Sequence, residues 1–493
     1  MRYNEYIYRV LGGKTMKKIL FAASEAVPFI KTGGLADVVG SLPKYFNKDE
    51  YDVRVMLPKY ACMKEVFKDQ LVYNTHYYMD FNSQKKYVGI LEMEYEGVKF
   101  YFIDNEEYFS GPKPYGEMAL DIEKFSYFSK AVLCSLPVIG FKPDVIHCHD
   151  WQAGLVPVYL DHFRYYNDYF SGIKTAITIH NLKFQGVWSI QGMKDFTGLP
   201  DYYFTSDKLE AYNDANMLKG GIVYADKVTT VSSTYAEEIK TPFYGEKLDG
   251  LMNARANSLL GIVNGIDYSD FNPETNVHIV KNYTVDNFRK EKIKNKIALQ
   301  EELGLEQDHH KMMIGVVSRL TDQKGFDLVA HVLEELCQDE IQLVVLGTGE
   351  EQYENLFRHY AWKYPNKVSA NIYYSEAMSH KIYAACDAFL MPSLFEPCGL
   401  SQLMSLKYGT LPIVRETGGL KDTVDNYNDE EKTGTGFSFP NYNAHEMLDT
   451  VRRAEEVFYN KKRDWNKIVE RAMEADFSWN SSARQYEKMY DEI

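Results

Sequence analysis

The chain has 493 residues, 45% of them hydrophobic and 25% charged, an ordinary globular composition that excludes a disordered polypeptide. At roughly 150 residues per domain, this length allows three domains or two large ones. With 55 basic and 70 acidic residues the formal charge is −15, which disfavours a broad nucleic-acid surface or an anionic membrane as partner, though a local basic pocket remains open.

In chain order, residues 1–15 carry charges and tyrosines through their middle and lack the apolar stretch of a signal peptide. They read as an extension outside the fold, because Met16 restarts the chain with a strand-like run. Candidate strands follow at 18–24, 52–57, 144–149, 175–180 and 227–232, with helical segments at 123–137 and 234–240. A second series of strands begins at 312–319 and continues at 342–349, 369–374, 388–393 and 411–416. Helical segments at 326–337, 379–387, 400–408 and 420–427 follow or separate them. Wholly apolar strands alternating with helices predict parallel sheets covered on both faces. The fold class is therefore α/β, with two doubly wound, Rossmann-like domains over 16–260 and 261–474 and a linker near Leu259–Phe271. In such sheets ligands sit beyond the carboxyl ends of the strands, so the polar residues after each strand are the candidate site.

Six cysteines are scattered without a C-x-x-C pair, which fits free thiols in a reducing cytoplasm. No apolar run approaches the ~18 residues of a membrane span. The 39 tyrosines suit hydroxyl-rich partners such as sugars, or simply fill the core with a polar tip outward.

After the first strand comes Lys31-Thr-Gly33-Gly34, leading into a helix that contains Asp37. Paired glycines at a helix start let backbone N–H groups approach an anion, and Lys31 favours phosphate there. This is not the G-x-G-x-x-G of a dinucleotide fold. In the second half, Arg319 and Lys324 set two cations after a strand and ahead of a helix, the makings of a diphosphate site. A solvated Lys324 would add little to the core. Thr417-Gly418-Gly419 repeats the glycine device, and two such devices argue for a nucleoside diphosphate. Glu396, Cys398, Gly399 and Leu400 form another strand-to-helix junction, where a carboxylate can meet backbone N–H groups or sugar hydroxyls. Asp150 and His180 also sit at strand ends. Strand alternation sets His147 and His149 on one face, but no further spaced ligands accompany them, and no metal or other cofactor is expected. The chain has no Asp-x-Asp clamp for a metal-bridged nucleotide sugar, so Lys and Arg must neutralise the diphosphate.

Together the segments KTGGLADVVGSLP, HCHDWQAGL, TIHNLKFQG, SRLTDQKGFDL, EAMSHKIYAACD and PSLFEPCGLSQLMSLKYGTLPIVRETGGLKDTV closely resemble the bacterial glycogen synthases and plant starch synthases, from about Lys17 onward. The resemblance implies a GT-B fold, two Rossmann-like domains facing across a deep cleft, with residues 475–493 packing back on the first. It implies a retaining hexosyltransferase that moves glucose from ADP-glucose to the non-reducing 4-hydroxyl of an α-1,4-glucan such as glycogen, with no obligate protein partner. By motif, Lys31, Gly33 and Gly34 would meet the ADP phosphates or the transferred glucose. Arg319 and Lys324 would hold the leaving diphosphate, and Thr417, Gly418 and Gly419 would complete its cradle. Glu396 would lie beside the glucosyl unit, with Cys398, Gly399 and Leu400 lining its pocket. His180 would contact the transferring glucose, and Tyr374 would stack on adenine. Asp150, Asp37 and Tyr115 would serve the acceptor side, Tyr115 by stacking. The second Glu of many retaining GT-B enzymes, eight residues after the first, is Met404 here. The rival readings are a UDP-glucose-dependent transferase, a non-catalytic glucan-binding protein and a dehydrogenase. The missing second Glu, the retained cations and the missing G-x-G-x-x-G respectively count against them.

Overall fold

Apolar strands alternating with helices build one mainly parallel sheet in each of two units. The structure is a computed structural model that describes residues 16–493; the expectation for residues 1–15 lies outside the described residues.

The first unit comprises the chain to Val231, Ala236–Ile262 and Trp479–Ile493. Its strands are β1 (Lys17–Ala22), β2 (Tyr51–Pro58), β3 (Val72–Phe81), β4 (Gln84–Tyr95), β5 (Val98–Asp104), β6 (Val145–His149) and β7 (Lys174–Ile179). A small sheet holds β8 (Val187–Ser189), β9 (Glu210–Ala211) and β10 (Asp214–Asn216), after which β11 (Lys227–Thr230) and β12 (Leu259–Gly261) rejoin the main one. The main sheet runs β12-β11-β7-β6-β1-β2-β5-β4-β3. Its central strands β1, β6 and β7 are buried almost throughout, as a sheet covered on both faces requires.

Two features depart from the sequence-based expectation. The edge is antiparallel: β3 pairs with β4 and β4 with β5. Both connections are two-residue turns with positive φ, Asn82-Ser83 (50° and 55°) and Glu96-Gly97 (49° and 74°), whose twist suits a hairpin. The stretch expected as a linker begins inside the sheet, because Leu259–Gly261 pairs in parallel with β11, and the two units divide between Ile262 and Val263.

The helix Trp479–Asp491 belongs to the first unit and buries Trp479, Ala483, Tyr486, Met489 and Tyr490 in its core. That spacing makes one apolar stripe at helical period.

The second unit comprises Ser232–Tyr235 and Val263–Ser478. Its strands β13 (Met312–Val317), β14 (Ile341–Leu346), β15 (Val368–Asn371), β16 (Ala388–Met391), β17 (Leu411–Arg415) and β18 (Phe437–Phe439) pair in parallel in the order β15-β14-β13-β16-β17-β18. The helix Phe326–Leu336 covers this sheet with Phe326, Val329, Val332, Leu333 and Leu336.

In each sheet the strand order reverses beside the first strand of the unit. β1 lies between β2 and β6, and β13 lies between β14 and β16. The loops leaving β1 and β6, and those leaving β13 and β16, therefore flank the two switch points where such sheets bind ligands.

One buried lysine, its ammonium held down to about 7 by burial, ties the second unit together. Lys292, on the helix Phe288–Glu302, donates to the carbonyls of Tyr383, Ala384 and Tyr408 at 3.0, 3.0 and 3.1 Å and to Thr410 Oγ1 at 2.7 Å. Lys292→Met keeps the length of the side chain but takes one donor from each of these acceptors; the Tyr408 and Tyr383 carbonyls keep Tyr283 OH and Thr410 Oγ1, and a buried acceptor that loses its donor costs the desolvation of that group. The expected loss is about 3 kcal/mol in denaturant unfolding of the full chain; a loss below about 0.5 kcal/mol, the usual range of a surface substitution, would contradict the keystone role.

Candidate active site

In the second unit, the loop leaving β13 carries Arg319 and Lys324, and the loop leaving β16 carries Glu396. Arg319 is exposed and has no ion-pair partner among the described residues. Lys324 closes a short turn, Asp322–Lys324, which ends at Gly325. Gly325 has φ of 77°, and any Cβ there would strike the Pro392 carbonyl, so glycine alone lets the two loops meet. The meeting brings Lys324 Nζ within 2.6 Å of Glu396 Oε2, which also accepts from Ser393 Oγ at 3.0 Å. Arg415, at the end of β17, supports this loop by donating from Nε to the Ser393 carbonyl at 2.8 Å and from its terminal nitrogen to that of Leu394.

Two expectations change here. Lys324 is not a solvated side chain: it is 16% exposed and its partner carboxylate 8%. The second glycine pair is not an open cradle. The Gly419 amide donates to the carbonyls of Glu396 and Pro397 at 3.1 and 3.2 Å, and Gly418, at φ of 44°, packs where a Cβ would meet the Glu396 carbonyl. Gly418 and Gly419 thus clamp the 396–398 loop, and Thr417 is buried before them. Cys398 is buried too, its thiol pushed up to about 12 by desolvation. Gly399 and Cys398 offer their carbonyls to Gln402 Nε2 at 3.0 Å, and Leu400 opens the helix Ser401–Lys407. Tyr374, three residues past β15, is 77% exposed.

In the first unit, the loop leaving β1 turns back on itself around Glu25, which is 3% exposed. The Glu25 carboxylate accepts from the Thr32 amide, from Thr32 Oγ1 at 2.8 Å, from Tyr115 OH at 2.9 Å and from the Gly33 amide. Burial raises its pKa, and these bonds oppose the rise. Lys31, Gly33 and Gly34 are exposed at the start of the helix Gly34–Ser41, but the anion held by the loop is the protein's own carboxylate. Lys31 Nζ pairs with Asp37 Oδ1 at 2.8 Å, so a phosphate candidate and an acceptor candidate bind each other. Tyr115 engages Glu25 and Ser24 Oγ (2.7 Å) with its hydroxyl, and its ring lies against Phe125, so it buttresses this loop.

Asp150 ends β6 with φ of 55° and ψ of −171°, a strained backbone for any residue but glycine. Its Oδ1 accepts the His180 amide at 2.7 Å, and the Asn181 amide adds a second bond. Asp150 therefore anchors the loop after β7. Burial pushes it up to about 7. Tyr490 and Thr178 engage both ring nitrogens of His147, and His180 engages Nδ1 of His149. Sequence reasoning missed Ser24 and Glu25, although both directly follow the first strand and the rule of searching beyond strand ends covers them.

Asp150 gives a pH prediction. Its folded pKa of about 7 stands above the ordinary aspartate value of 3.8, so the folded chain binds the extra proton between those values. Its contribution to stability is full below the lower value and is lost as pH rises through the upper one. Asp150→Asn removes the titration, so the melting-temperature difference, native minus variant, should fall steadily from pH 4 to pH 7; a flat difference would refute the buried acid.

Comparison with known proteins agrees with this architecture. Residues 18–254 match the family model described as starch synthase catalytic domain, and residues 271–471 match glycosyl transferases group 1. A glycogen synthase of Lachnospira eligens is 68% identical over 97% of this chain and 100% of its own. One of Lachnoclostridium phytofermentans is 64% identical with the same coverage. The catalytic domain of starch synthase IV from Arabidopsis thaliana, solved bound to ADP and acarbose, is 33% identical, superposes with a TM-score of 0.90 and covers 97% of this chain and 99% of its own. Two Rossmann-like units, each matched by its own glycosyltransferase model, and full-length identity to these enzymes show that the chain belongs to the glycogen synthase family of GT-B glycosyltransferases.

Proposed function

We propose that the chain transfers α-D-glucose from ADP-glucose to the non-reducing 4-hydroxyl of glycogen or another α-1,4-glucan, with retention at the anomeric carbon. The observation that carries this reading is the Lys324–Glu396 pair at the β13/β16 switch point, with the exposed Arg319 on the same loop as Lys324. ADP as the nucleotide is supported by the starch synthase that was solved with ADP and acarbose.

Breaking the anomeric bond leaves an oxocarbenium-like sugar and a diphosphate on which negative charge grows. An ammonium has three N–H donors, so Lys324 can keep Glu396 and still take a phosphate oxygen. Arg319 adds a planar fork suited to the same group. Fixed donors aimed at growing charge are worth about 10²–10³ in rate each. Glu396 serves the glucosyl unit, and Cys398, Gly399 and Leu400 shape the wall beside it. Clamped by Gly418 and Gly419, that wall holds its shape without substrate. Tyr374 offers an exposed ring to adenine, and Lys31, with Asp37, serves the sugar or phosphates. His180 contacts the transferring glucose. The sequence offers no obvious carboxylate pair of glycosidase type, and retention is assigned to same-face attack assisted by the leaving phosphate. The cytoplasm is the proposed compartment, on the strength of six unpaired thiols. Among the described residues no helix is long and apolar enough to cross a membrane.

Two measurements test this reading. Lys324→Ala strands a buried carboxylate and should cost about 3 kcal/mol of stability as well as activity. Replacing the pair together, Lys324→Gln with Glu396→Gln, puts a neutral hydrogen bond in its place. Stability should return while ADP release in the presence of glycogen stays about 10²–10³-fold down. Turnover near the native level in that folded double variant would overturn the diphosphate role. The second measurement is chelation. With cations of the protein neutralising the diphosphate, glucosyl transfer should survive exhaustive EDTA, and a complete loss restored by magnesium or manganese would overturn the metal-free route.

A further inference from the structure

His180 lies at the end of a line of buried aromatic groups that begins on the helix Trp479–Asp491. Tyr490, fully buried, sets its hydroxyl 2.6 Å from His147 Nδ1. His147 Nε2 lies 2.6 Å from Thr178 Oγ1, which lies 2.6 Å from Thr229 Oγ1. The His147 ring stacks on that of His149, centroids 4.4 Å apart and planes 29° apart, and Phe21 packs edgewise against His147 and at a tilt against His149. His149 Nδ1 then lies 3.0 Å from His180 Nε2. All these groups belong to the first unit.

The protonation of the line follows from one orphan atom. His149 Nε2 is buried with no hydrogen-bond partner. Burial holds His147 and His180 down to about 3 and His149 well below its usual value, so each ring carries one N–H near neutral pH. A buried N–H without an acceptor is the costlier orphan, so the bare lone pair of His149 falls on Nε2 and its proton on Nδ1. Nδ1–H then donates to His180 Nε2, and the proton of His180 is left on Nδ1. Asp150 fixes the main chain at His180 by accepting its amide.

We infer that Tyr490 is a positioning residue for glucosyl transfer: by holding His147, and through it the plane of the stacked His149 ring, it keeps His149 Nδ1–H aimed at His180, whose Nδ1–H is thereby offered to an oxygen of the transferring glucose. This deepens the reading of His180 in the proposed function and rests on it.

The test compares two variants of the full chain. Tyr490→Phe removes the hydroxyl from the line. Tyr51→Phe loosens the same helix elsewhere, because the Tyr51 hydroxyl donates to Asp491 Oδ1 at 3.0 Å and does not touch the histidines. Tyr490→Phe should lower kcat about tenfold, the scale of a small misplacement of a catalytic group, with KM for ADP-glucose unchanged within about twofold. It should also shift the ¹⁵N tautomer signals of His149 and His180 in the histidine-labelled resting protein. Tyr51→Phe should lower the melting temperature by a similar amount and move neither readout. Equal kcat in the two variants, or unmoved His149 and His180 signals in Tyr490→Phe, would overturn the inference. Full turnover in His180→Ala would instead overturn the assignment of His180 to the glucose, a failure read separately from the resting-state signals.

Discussion

A carboxylate taken out of water must find donors, and each unit meets this demand where its strand order reverses. Glu25 beside β1 is met by amides and hydroxyls of its own loop and by Tyr115; Glu396 beyond β16 is met by an ammonium and a serine. The backbone around each is shaped to bring those donors in. Gly325 lets the β13 loop close on Pro392, and Gly418 lets the 396–398 loop lie against the next helix. Without the buried charge, the glycines and the buttressing tyrosine would have nothing to hold. The loops that carry Lys31, Arg319 and Lys324 inherit their positions from these two solvation problems, which preorganises donors before any substrate binds.

The parallel cores were legible in the sequence because a short apolar run without alternation suits a strand buried on both faces. Strands β1, β2, β6, β7 and β11, and β13 to β17, fall within three residues of their expected bounds. The antiparallel edge was not seen. Val72–Phe81 mixes polar and apolar residues, and its inner face is only partly buried, so period alone gave little signal. The marks were in the turns: Asn82-Ser83 and Glu96-Gly97 between β-formers are hairpin chemistry. The edge of a sheet is where pattern is weakest, since one side has no neighbour to please.

The site was legible by residue type more than by partnership. Strand-end position picked out Asp150, His180, Arg319, Lys324 and Glu396, but not which of them would bind one another. That Lys31 takes Asp37, Lys324 takes Glu396, and Asp150 takes the His180 amide depends on loop closure, which no local pattern encodes. The second glycine pair misled for the same reason. A Gly-Gly at a helix start serves equally for close approach of an anion and for close approach of another loop, and at Gly418 and Gly419 the structure uses the second.

The helix Trp479–Asp491 has a consequence for how the chain is made. Its Trp479, Tyr486 and Tyr490 are part of the first unit's core, yet they leave the ribosome after every residue of the second unit. At 5–20 residues per second, the more than two hundred intervening residues take on the order of ten seconds or more. Through that interval the nascent first unit has an unfilled slot in its core, with Phe46, Tyr51 and His147 uncovered. The second unit can close around its own sheet in the meantime. Synthesis thus inverts the usual order of maturation, and a message truncated shortly before residue 479 would yield a protein whose later-made half is sound and whose earlier-made half is open to proteases. Completion of the core doubles as a check that translation reached its last helix.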